Sequence, residues 1–433
     1  MHIAVIGTGY VGLVTGACFA DFGMRVTCVD KDEHKISSLN AGRMPIYEPG
    51  LDALVAKGVR DGRLGFSTDV KGTVEQSLVV FLAVGTPPSG DGSADMSQID
   101  EVASEIARAL NGYKVIVTKS TVPVGAASRI KKIIEENKTT PSRFSVAANP
   151  EFLREGAAIN DFMRPDRVVI GCTDEEAVAI LKDIYRPLYL ISTPFVITTP
   201  ESAEMIKYAS NAFLATKVSF INEISGLCER LGADVHDVAR GMGMDARIGS
   251  KFLHPGPGFG GSCFPKDAQA LVALGRSVDY EVKIVDAALR VNESQKSSII
   301  ERIKRLLPHL EDKTVAILGL AFKPQTDDMR DAPSLKIIND LVKAGASVRV
   351  YDPAAMESAR RLLPDIDYCE DEYDAARGSD GLVVVTEWNQ FRSLDIDRLH
   401  HSMREPNIID LRNLYEPETM RSAGFRYLAM GRN

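Results

Sequence analysis

The chain has 433 residues, enough for two or three domains with cores of their own, so a single domain is not expected. Hydrophobic residues make up 45% and charged residues 25%, with a formal net charge of -8 and no long like-charge run; this fits a soluble globular protein and gives nucleic-acid binding no support. Six scattered cysteines, Cys18, Cys28, Cys172, Cys228, Cys263 and Cys369, form no C-x-x-C pair and no short Cys/His spacing, so no metal site is assigned and a reducing cytoplasm is the simplest setting.

No stretch approaches the ~18 consecutive apolar residues of a membrane-spanning helix. The apolar start, "MHIAVIGTGYVGLVTGACFA", lacks a basic n-region, and its ordered glycines mark a folded element rather than a secretion signal. From residue 1 to about 199, short β-branched runs alternate with helical patterns: "HIAVIG", "RVTCVD", "LVVFLAV", "KVIVTKS", "RFSVAANP", "RVVIGC" and "PFVITT". Such alternation predicts βαβ units and a mainly parallel sheet.

The first run leads into Gly7-Thr8-Gly9-Tyr10-Val11-Gly12, and Asp30 closes the next strand. Gly7 permits a tight turn, Gly9 lets the backbone approach a pyrophosphate, and Gly12 lets helix pack on strand. The helix N-terminus attracts phosphate. Asp30 would accept hydrogen bonds from ribose hydroxyls and repel a 2′-phosphate, favouring NAD over NADP, a preference that Lys31 and Lys35 blunt. Further along, "KSTVPVG" places Thr121 at a strand end. "NPEFLREG" places Glu151, Arg154 and Glu155 in a strand-to-helix loop, either as ligand contacts at the carboxyl edge of a sheet or as acids that compensate a helix dipole.

At about Thr199 the character changes. Thr199 as cap and Pro200 at the first helical position start a helix that runs without a breaker to Gly232. Lys207 and Asn211, four apart on it, share a face. They read either as solvated side chains or as buried donors flanked by Ile206, Ala209, Ala212 and Phe213. Helical patterns continue to about Pro308 and contain "GFGGSCFPKD", where glycines deliver Cys263 on a close-approaching backbone beside Lys266 and Asp267. The other five cysteines read as small core hydrophobes. "TVAILGLA", "SVRVYD", "DGLVVVT" and "NIIDL" then restart the strand rhythm. Gly319 to Asp352 repeats the pattern of Gly7 to Asp30 without the remaining fingerprint glycines, and carries the insertion "FKPQTDDMRD".

In this order, "GTGYVGL", "TPPSGDGSAD", "STVPVG", "NPEFLREG", "IKYASNAFLATKVSFINE", "GFGGSCFPKD" and "GLAFKPQTDDMRDAPS" resemble the UDP-glucose/GDP-mannose dehydrogenase family over nearly the whole chain. The resemblance implies an α/β fold with two Rossmann-like doubly wound domains joined by a long central helix and a helical middle region. Residues 1–199 would bind NAD, 200–308 would form a helical dimerisation region, and 309–433 would bind the UDP-sugar.

The implied reaction is a four-electron oxidation of the sugar 6-hydroxymethyl group to a carboxylate, UDP-glucose to UDP-glucuronate, with NAD as cofactor. Cys263 would be the nucleophile, forming a thiohemiacetal and then a thioester. Lys207 and Asn211 would stabilise oxyanions, and Asp267 would partner Lys207 or a water. Thr121 and Glu151 would place that water or assist proton transfer. Cofactor contacts carried over by the resemblance are Gly7, Gly9, Tyr10, Val11, Gly12, Asp30, Lys35, Thr86, Thr121, Glu155, Lys266 and Arg330. Substrate contacts are Glu151, Phe152, Leu153, Arg154, Glu155, Lys207, Asn211, Phe252, Leu253, Gly260, Phe322 and Lys323. Arg247 matches an arginine that the family donates across a homodimer interface; read alone, it is a surface cation beside Asp245. Three other readings stand beside this one: the same chemistry on GDP-mannose or UDP-N-acetylmannosamine, a two-electron hydroxyacid dehydrogenase that would not need Cys263, and an NAD-binding protein without catalysis.

Overall fold

The computed structural model describes residues 1–432. Two compact units divide the chain, residues 1–210 and 211–433. The boundary falls inside the long helix, Pro200–Leu231.

The first unit is built on an eight-stranded sheet: β1 (His2–Ile6), β2 (Arg25–Val29), β3 (Leu64–Ser67), β4 (Val79–Leu82), β5 (Lys114–Thr118), β6 (Phe144–Ala148), β7 (Val168–Gly171) and β8 (Phe195–Thr198). Their order is β3-β2-β1-β4-β5-β6-β7-β8. Helices cover both faces of the central strands, so these strands are continuous apolar runs rather than alternating ones; β4 and β5 are buried at every position. Ladders are parallel except where β6 meets β7 through Ala148 and Gly171. β3, sequence LGFS, shows no strand pattern in the sequence because its only long aliphatic residue is Leu64. The strand order reverses at β1, which pairs with β2 on one side and β4 on the other. The crevice beyond the carboxyl ends of β1 and β4 is where a doubly wound sheet takes a ligand.

In the second unit the remainder of the long helix is followed by helices Val235–Gly243, Phe264–Ser277 and Lys283–Leu306. Then comes a six-stranded, wholly parallel sheet: β9 (Thr314–Leu318), β10 (Ser347–Tyr351), β11 (Asp367–Tyr368), β12 (Gly381–Val384), β13 (Asn407–Asp410) and β14 (Arg426–Ala429), in the order β11-β10-β9-β12-β13-β14. The sequence pattern omits β11, only two residues long, and β14, whose Arg426 and Tyr427 interrupt an aliphatic run.

The same kind of turn occurs once in each sheet. Gly7 and Gly319 both adopt positive φ, 104° and 97°, at the end of the first strand of their sheets. The next N–H in each case is bound by the aspartate ending the second strand: Thr8 N–H to Asp30 Oδ2 at 2.9 Å, and Leu320 N–H to Asp352 Oδ2 at 2.7 Å. This common device underlies the pattern that the sequence repeats from Gly7 to Asp30 and from Gly319 to Asp352.

The long helix begins as its sequence predicts, with Thr199 Oγ1 accepting the Ser202 N–H at 3.2 Å and Pro200 in the first position. Among the described residues no helix is long and apolar enough to cross a membrane.

Gly12, in the first turn of helix Tyr10–Asp21, has no room for a side chain: a Cβ there would lie 1.9 Å from the Gly7 carbonyl oxygen. Gly12→Ala is therefore expected to lower stability by roughly 1–3 kcal/mol, measured by denaturant unfolding.

Candidate active site

In the first unit, helix Tyr10–Asp21 opens with Gly9 as its N-cap, with no side-chain cap and no acid in its first turn. Its leading N–H groups and positive dipole end are thus left for an anion. A Cβ on Gly9 would meet nothing within 4 Å, so the backbone there is open to close approach. Asp30 Oδ2 also accepts the Thr8 hydroxyl at 2.7 Å, while its Oδ1 accepts the Asp32 N–H at 3.1 Å. Burial alone would raise the Asp30 pKa, but the Thr8 and Asp32 bonds and nearby Lys35, 3.8 Å away, together hold it below the usual value. Tyr10 donates its hydroxyl to the Tyr47 carbonyl, and Val11 is half-buried beside it. Thr86, buried, donates to the Thr121 carbonyl at 2.8 Å, which ties two predicted cofactor residues together.

The loop after β6 holds a buried ion pair with the long helix. Glu151 and Lys207 are 4% and 3% exposed, and Lys207 Nζ donates to Glu151 Oε1 at 2.7 Å. Burial decides between the two readings of Lys207: it is a paired interior cation. Glu151 Oε2 accepts the Leu153 N–H at 2.5 Å, which fixes the loop's first turn. The Phe152 ring has Lys207 Nζ 5.5 Å from its centroid and the Arg167 guanidinium at 3.5 Å. The Arg154 guanidinium is engaged by Asp161, at 2.6 and 3.0 Å, and is largely exposed. Glu155 is half-buried in the same loop.

Two carboxylates absent from the sequence reading brace these loops. Glu48 accepts the Gly156 and Ala158 N–H groups at 2.6 and 2.8 Å. Glu204 accepts those of Gly125 and Ala127 at 2.7 and 2.9 Å, at the start of helix Ala126–Asn137 just beyond Thr121. Burial pushes Glu204 up to about 7 against the opposing pull of those N–H groups. Glu204 lies one turn before Lys207 on the long helix, and both line a small recess with Thr121 and Pro150. That i, i+3 spacing was a readable signal; nothing in "YEPGL" singled out Glu48.

In the second unit, Asp267 is fully buried and is gripped from two sides, by Asn211 Nδ2 at 2.6 Å and Lys266 Nζ at 2.6 Å. Asn211, 7% exposed, is an interior amide. Cys263 stands at the N-cap of helix Phe264–Ser277, half-buried, with its carbonyl accepting the Asp267 N–H at 2.8 Å and its Sγ 3.4 Å from Ser262 Oγ. The other five cysteines are buried, and burial raises the pKa of each, Cys28 to about 12, so they are inert core thiols.

The glycines before Cys263 are also required by packing within their own unit. A Cβ on Gly260 would lie 2.3 Å from the Asp331 carbonyl oxygen, and one on Gly261 would lie 2.8 Å from the Phe322 ring. Gly261 also donates its N–H to the Arg330 carbonyl at 2.8 Å. Their lack of side chains lets the cysteine loop lie flat against segment 322–331, the insertion noted in the sequence. Lys323 Nζ sits 5.3 Å from the Phe322 ring centroid, and Arg330 makes two 2.8 Å bonds to Asp328. Leu253 is buried and Phe252, at φ 63°, places its ring 6.1 Å from Phe264. Arg247 is 89% exposed and pairs with Asp245 at 2.6 Å, which within one chain is the surface-cation arrangement. Among the described residues no cluster of three His, Cys, Asp or Glu could hold a metal ion.

Residues 1–189, 201–294 and 316–417 match, respectively, the NAD binding, central and UDP binding domains of the UDP-glucose/GDP-mannose dehydrogenase family. The chain belongs to that family. It is 53% identical to a UDP-glucose 6-dehydrogenase of Rhizobium meliloti (strain 1021), covering 100% of both chains. It is 47% identical to the UDP-glucose 6-dehydrogenase TuaD of Bacillus subtilis (strain 168), covering 99% of this chain and 93% of that one. A solved structure of a UDP-glucose dehydrogenase from the archaeon Pyrobaculum islandicum superposes with TM-score 0.92 at 39% identity, covering 100% of this chain and 98% of that one. The resemblance read from the motifs and the doubly wound fold class are borne out. The enzyme is an NAD-dependent oxidoreductase.

The uncapped helix start, the open space over Gly9 and the carboxylate of Asp30 fit that cofactor. Because Gly9 has an ordinary φ of -74° and no neighbour to strike, Gly9→Ala should leave stability within about 0.5 kcal/mol of the native chain. It should weaken NAD binding by about tenfold or more, read by calorimetric titration.

Proposed function

We propose that this enzyme oxidises the 6-hydroxymethyl group of UDP-glucose to the carboxylate of UDP-glucuronate, with Cys263 as covalent nucleophile. The observation that carries the reading is the half-buried thiol at a helix N-terminus, beside the buried Asp267–Asn211–Lys266 cluster, in a chain that also has the family's UDP binding domain. The names of the relatives support UDP-glucose as the sugar nucleotide.

The residues divide the work by their chemistry. Asn211 is oriented by Asp267, and its amide nitrogen carries a pair of N–H donors, suited to an oxyanion. Lys207 is held by Glu151, so its ammonium is preorganised and costs little to reorient. The Gly7–Gly12 turn and Asp30 would hold NAD, and two NAD molecules bound there in turn would supply the hydride acceptors that the alcohol and the thiohemiacetal each require. An aldehyde has no carbinol hydrogen to give; adding the Cys263 thiolate to it makes a carbon that does. The resulting thioester is cleaved by water, which restores the thiol and releases the acid. Glu151 and Thr121 are assigned to that water and to proton transfer. Residues 1–199 are assigned to NAD, 200–308 to dimerisation and 309–433 to the sugar nucleotide, with Phe252, Leu253, Gly260, Phe322 and Lys323 on the substrate side and Glu155, Lys266 and Arg330 on the cofactor side.

A homodimer is part of the proposal. The long helix leaves Phe213, Phe220, Leu227 and Leu231 at 65%, 45%, 50% and 74% exposure, a run of apolar surface that a second copy would cover about a two-fold axis. Arg247 would then serve the partner's site.

Purified enzyme with UDP-glucose should form two NADH per sugar, followed by absorbance and by chromatography of the acid; one per sugar, or a response only to GDP-mannose or UDP-N-acetylmannosamine, would remove the proposal. Cys263→Ser should keep NAD and UDP-glucose binding while net acid formation falls by at least about a hundredfold. In the dimer test, inactive Cys263→Ser and Arg247→Ala chains are mixed and allowed to exchange. An arginine acting in trans gives hybrids with one intact site, and activity should return to about a quarter of native; an arginine acting within its own chain gives no recovery.

A further inference from the structure

Lys119 follows β5 directly and folds back into the interior of the first unit, where it is 5% exposed. Its Nζ donates to Asn149 Oδ1 at 3.0 Å and to the Tyr185 hydroxyl at 3.1 Å. Tyr185 in turn donates to Asn149 Oδ1 at 2.6 Å, and Asn149 Nδ2 donates to the Val169 carbonyl at 2.7 Å, which fixes the amide orientation. The Phe162 and Tyr185 rings lie 5.9 and 5.7 Å from Nζ. Both oxygen partners are neutral, so neither hydrogen bond of this buried amine is to a carboxylate.

Its anchor, Asn149, opens the loop that presents Glu151, and the Asn149 N–H bonds the Thr118 carbonyl at 2.9 Å. The charged or ionisable groups around it come from every neighbouring element. Glu151 on the loop after β6 and Lys207 on the long helix act on Lys119 with opposite sign. Tyr185, after helix Glu175–Ile184, contacts it directly, and Cys18 of helix Tyr10–Asp21 lies behind Tyr185, influenced in turn by Glu48. Burial lowers the amine to about 7; the Glu151 charge opposes this and the Lys207 charge adds to it.

We propose that Lys119 is a positioning residue for the oxidation, holding the Asn149–Glu151 turn through Asn149 and setting by its own charge the electrostatic balance of the Glu151–Lys207 pair. The inference rests on the assignment of Glu151 and Lys207 to the reaction. Charge on Lys119 would attract the Glu151 carboxylate and repel the Lys207 ammonium; its loss would relax both effects.

Lys119→Met holds the neutral state and Lys119→Arg the charged one. NAD reduction with UDP-glucose is followed from about pH 6 to about pH 9 for all three proteins. The native kcat should show an ionisation near neutrality that is missing from both variants, with Arg tracking the native enzyme on the acid side and Met on the alkaline side. A native limb retained with unchanged midpoint in both variants overturns the proposal.

A second readout does not need activity. Lys119 has a folded pKa near 7 and an unfolded one near 10.5, so between those values the unfolded chain binds the extra proton and stability rises with pH. Relative to Lys119→Met, the native folded-to-unfolded ratio should grow by about tenfold per pH unit in that window. Equal slopes in native and variant overturn the proposal. Silence with every sugar nucleotide alongside the expected slope would instead fault the substrate reading and leave the amine's ionisation demonstrated. Should the Met variant not fold, Lys119→Gln, which keeps an N–H donor for Asn149, takes its place in both measurements.

Discussion

An ammonium cannot be placed in a protein interior without an oppositely charged or strongly polar partner, and the Glu151–Lys207 pair meets that demand at 2.7 Å. Most of the candidate site in the first unit follows from it. The pair fixes which face of the long helix turns inward at Lys207, and therefore that Glu204, three residues earlier, faces the start of helix Ala126–Asn137. It also fixes the loop after β6, since the second Glu151 oxygen is spent on the Leu153 N–H. A buried pair of this kind contributes little net stability compared with apolar packing. Its value lies in a single, rigid orientation for two buried charged side chains.

The same economy of means recurs wherever a loop must be held still. Glu48, Glu204, Asp30 and Asp352 each accept two or more N–H groups from a turn or helix start. Each carboxylate satisfies donors that a helix start or tight turn leaves without intrahelical partners. Asp267 differs, holding side chains: Asn211 on one oxygen and Lys266 on the other. In that arrangement the buried charge is balanced by a cation while the amide is turned to a fixed direction, which is the preorganisation that oxyanion stabilisation requires.

The paired sheets show how one turn serves two ends. Asp30 and Asp352 brace equivalent glycine turns, but only the first retains an open glycine at the helix start. In the second copy the insertion at 322–331 intervenes before helix Pro333–Lys343, and the glycines ahead of Cys263 pack against it. Gly260 and Gly261 are thus required by backbone and ring contact within their own unit.

The alternation of β-branched runs, the glycine turn ending in Asp30, the cap and length of the helix from Pro200, and the isolation of Cys263 in a polar loop were all legible in the sequence. Each is a local pattern: periodicity, a cap or a turn constraint is written in neighbouring residues. Strands β3, β11 and β14 were not legible, because short strands carry too few apolar residues to show a period and owe their existence to the ladder beside them. Nor were the partners of the charged residues. Glu151 and Lys207 are separated by more than fifty residues, Glu48 and Gly156 by more than a hundred, and Lys119 is buried only because Asn149 and Tyr185 close over it. Residue type along the chain determined which groups could ionise. Tertiary packing decided which of them lost water and against what, because desolvation and Coulomb energy depend on distance in space and not on separation along the chain.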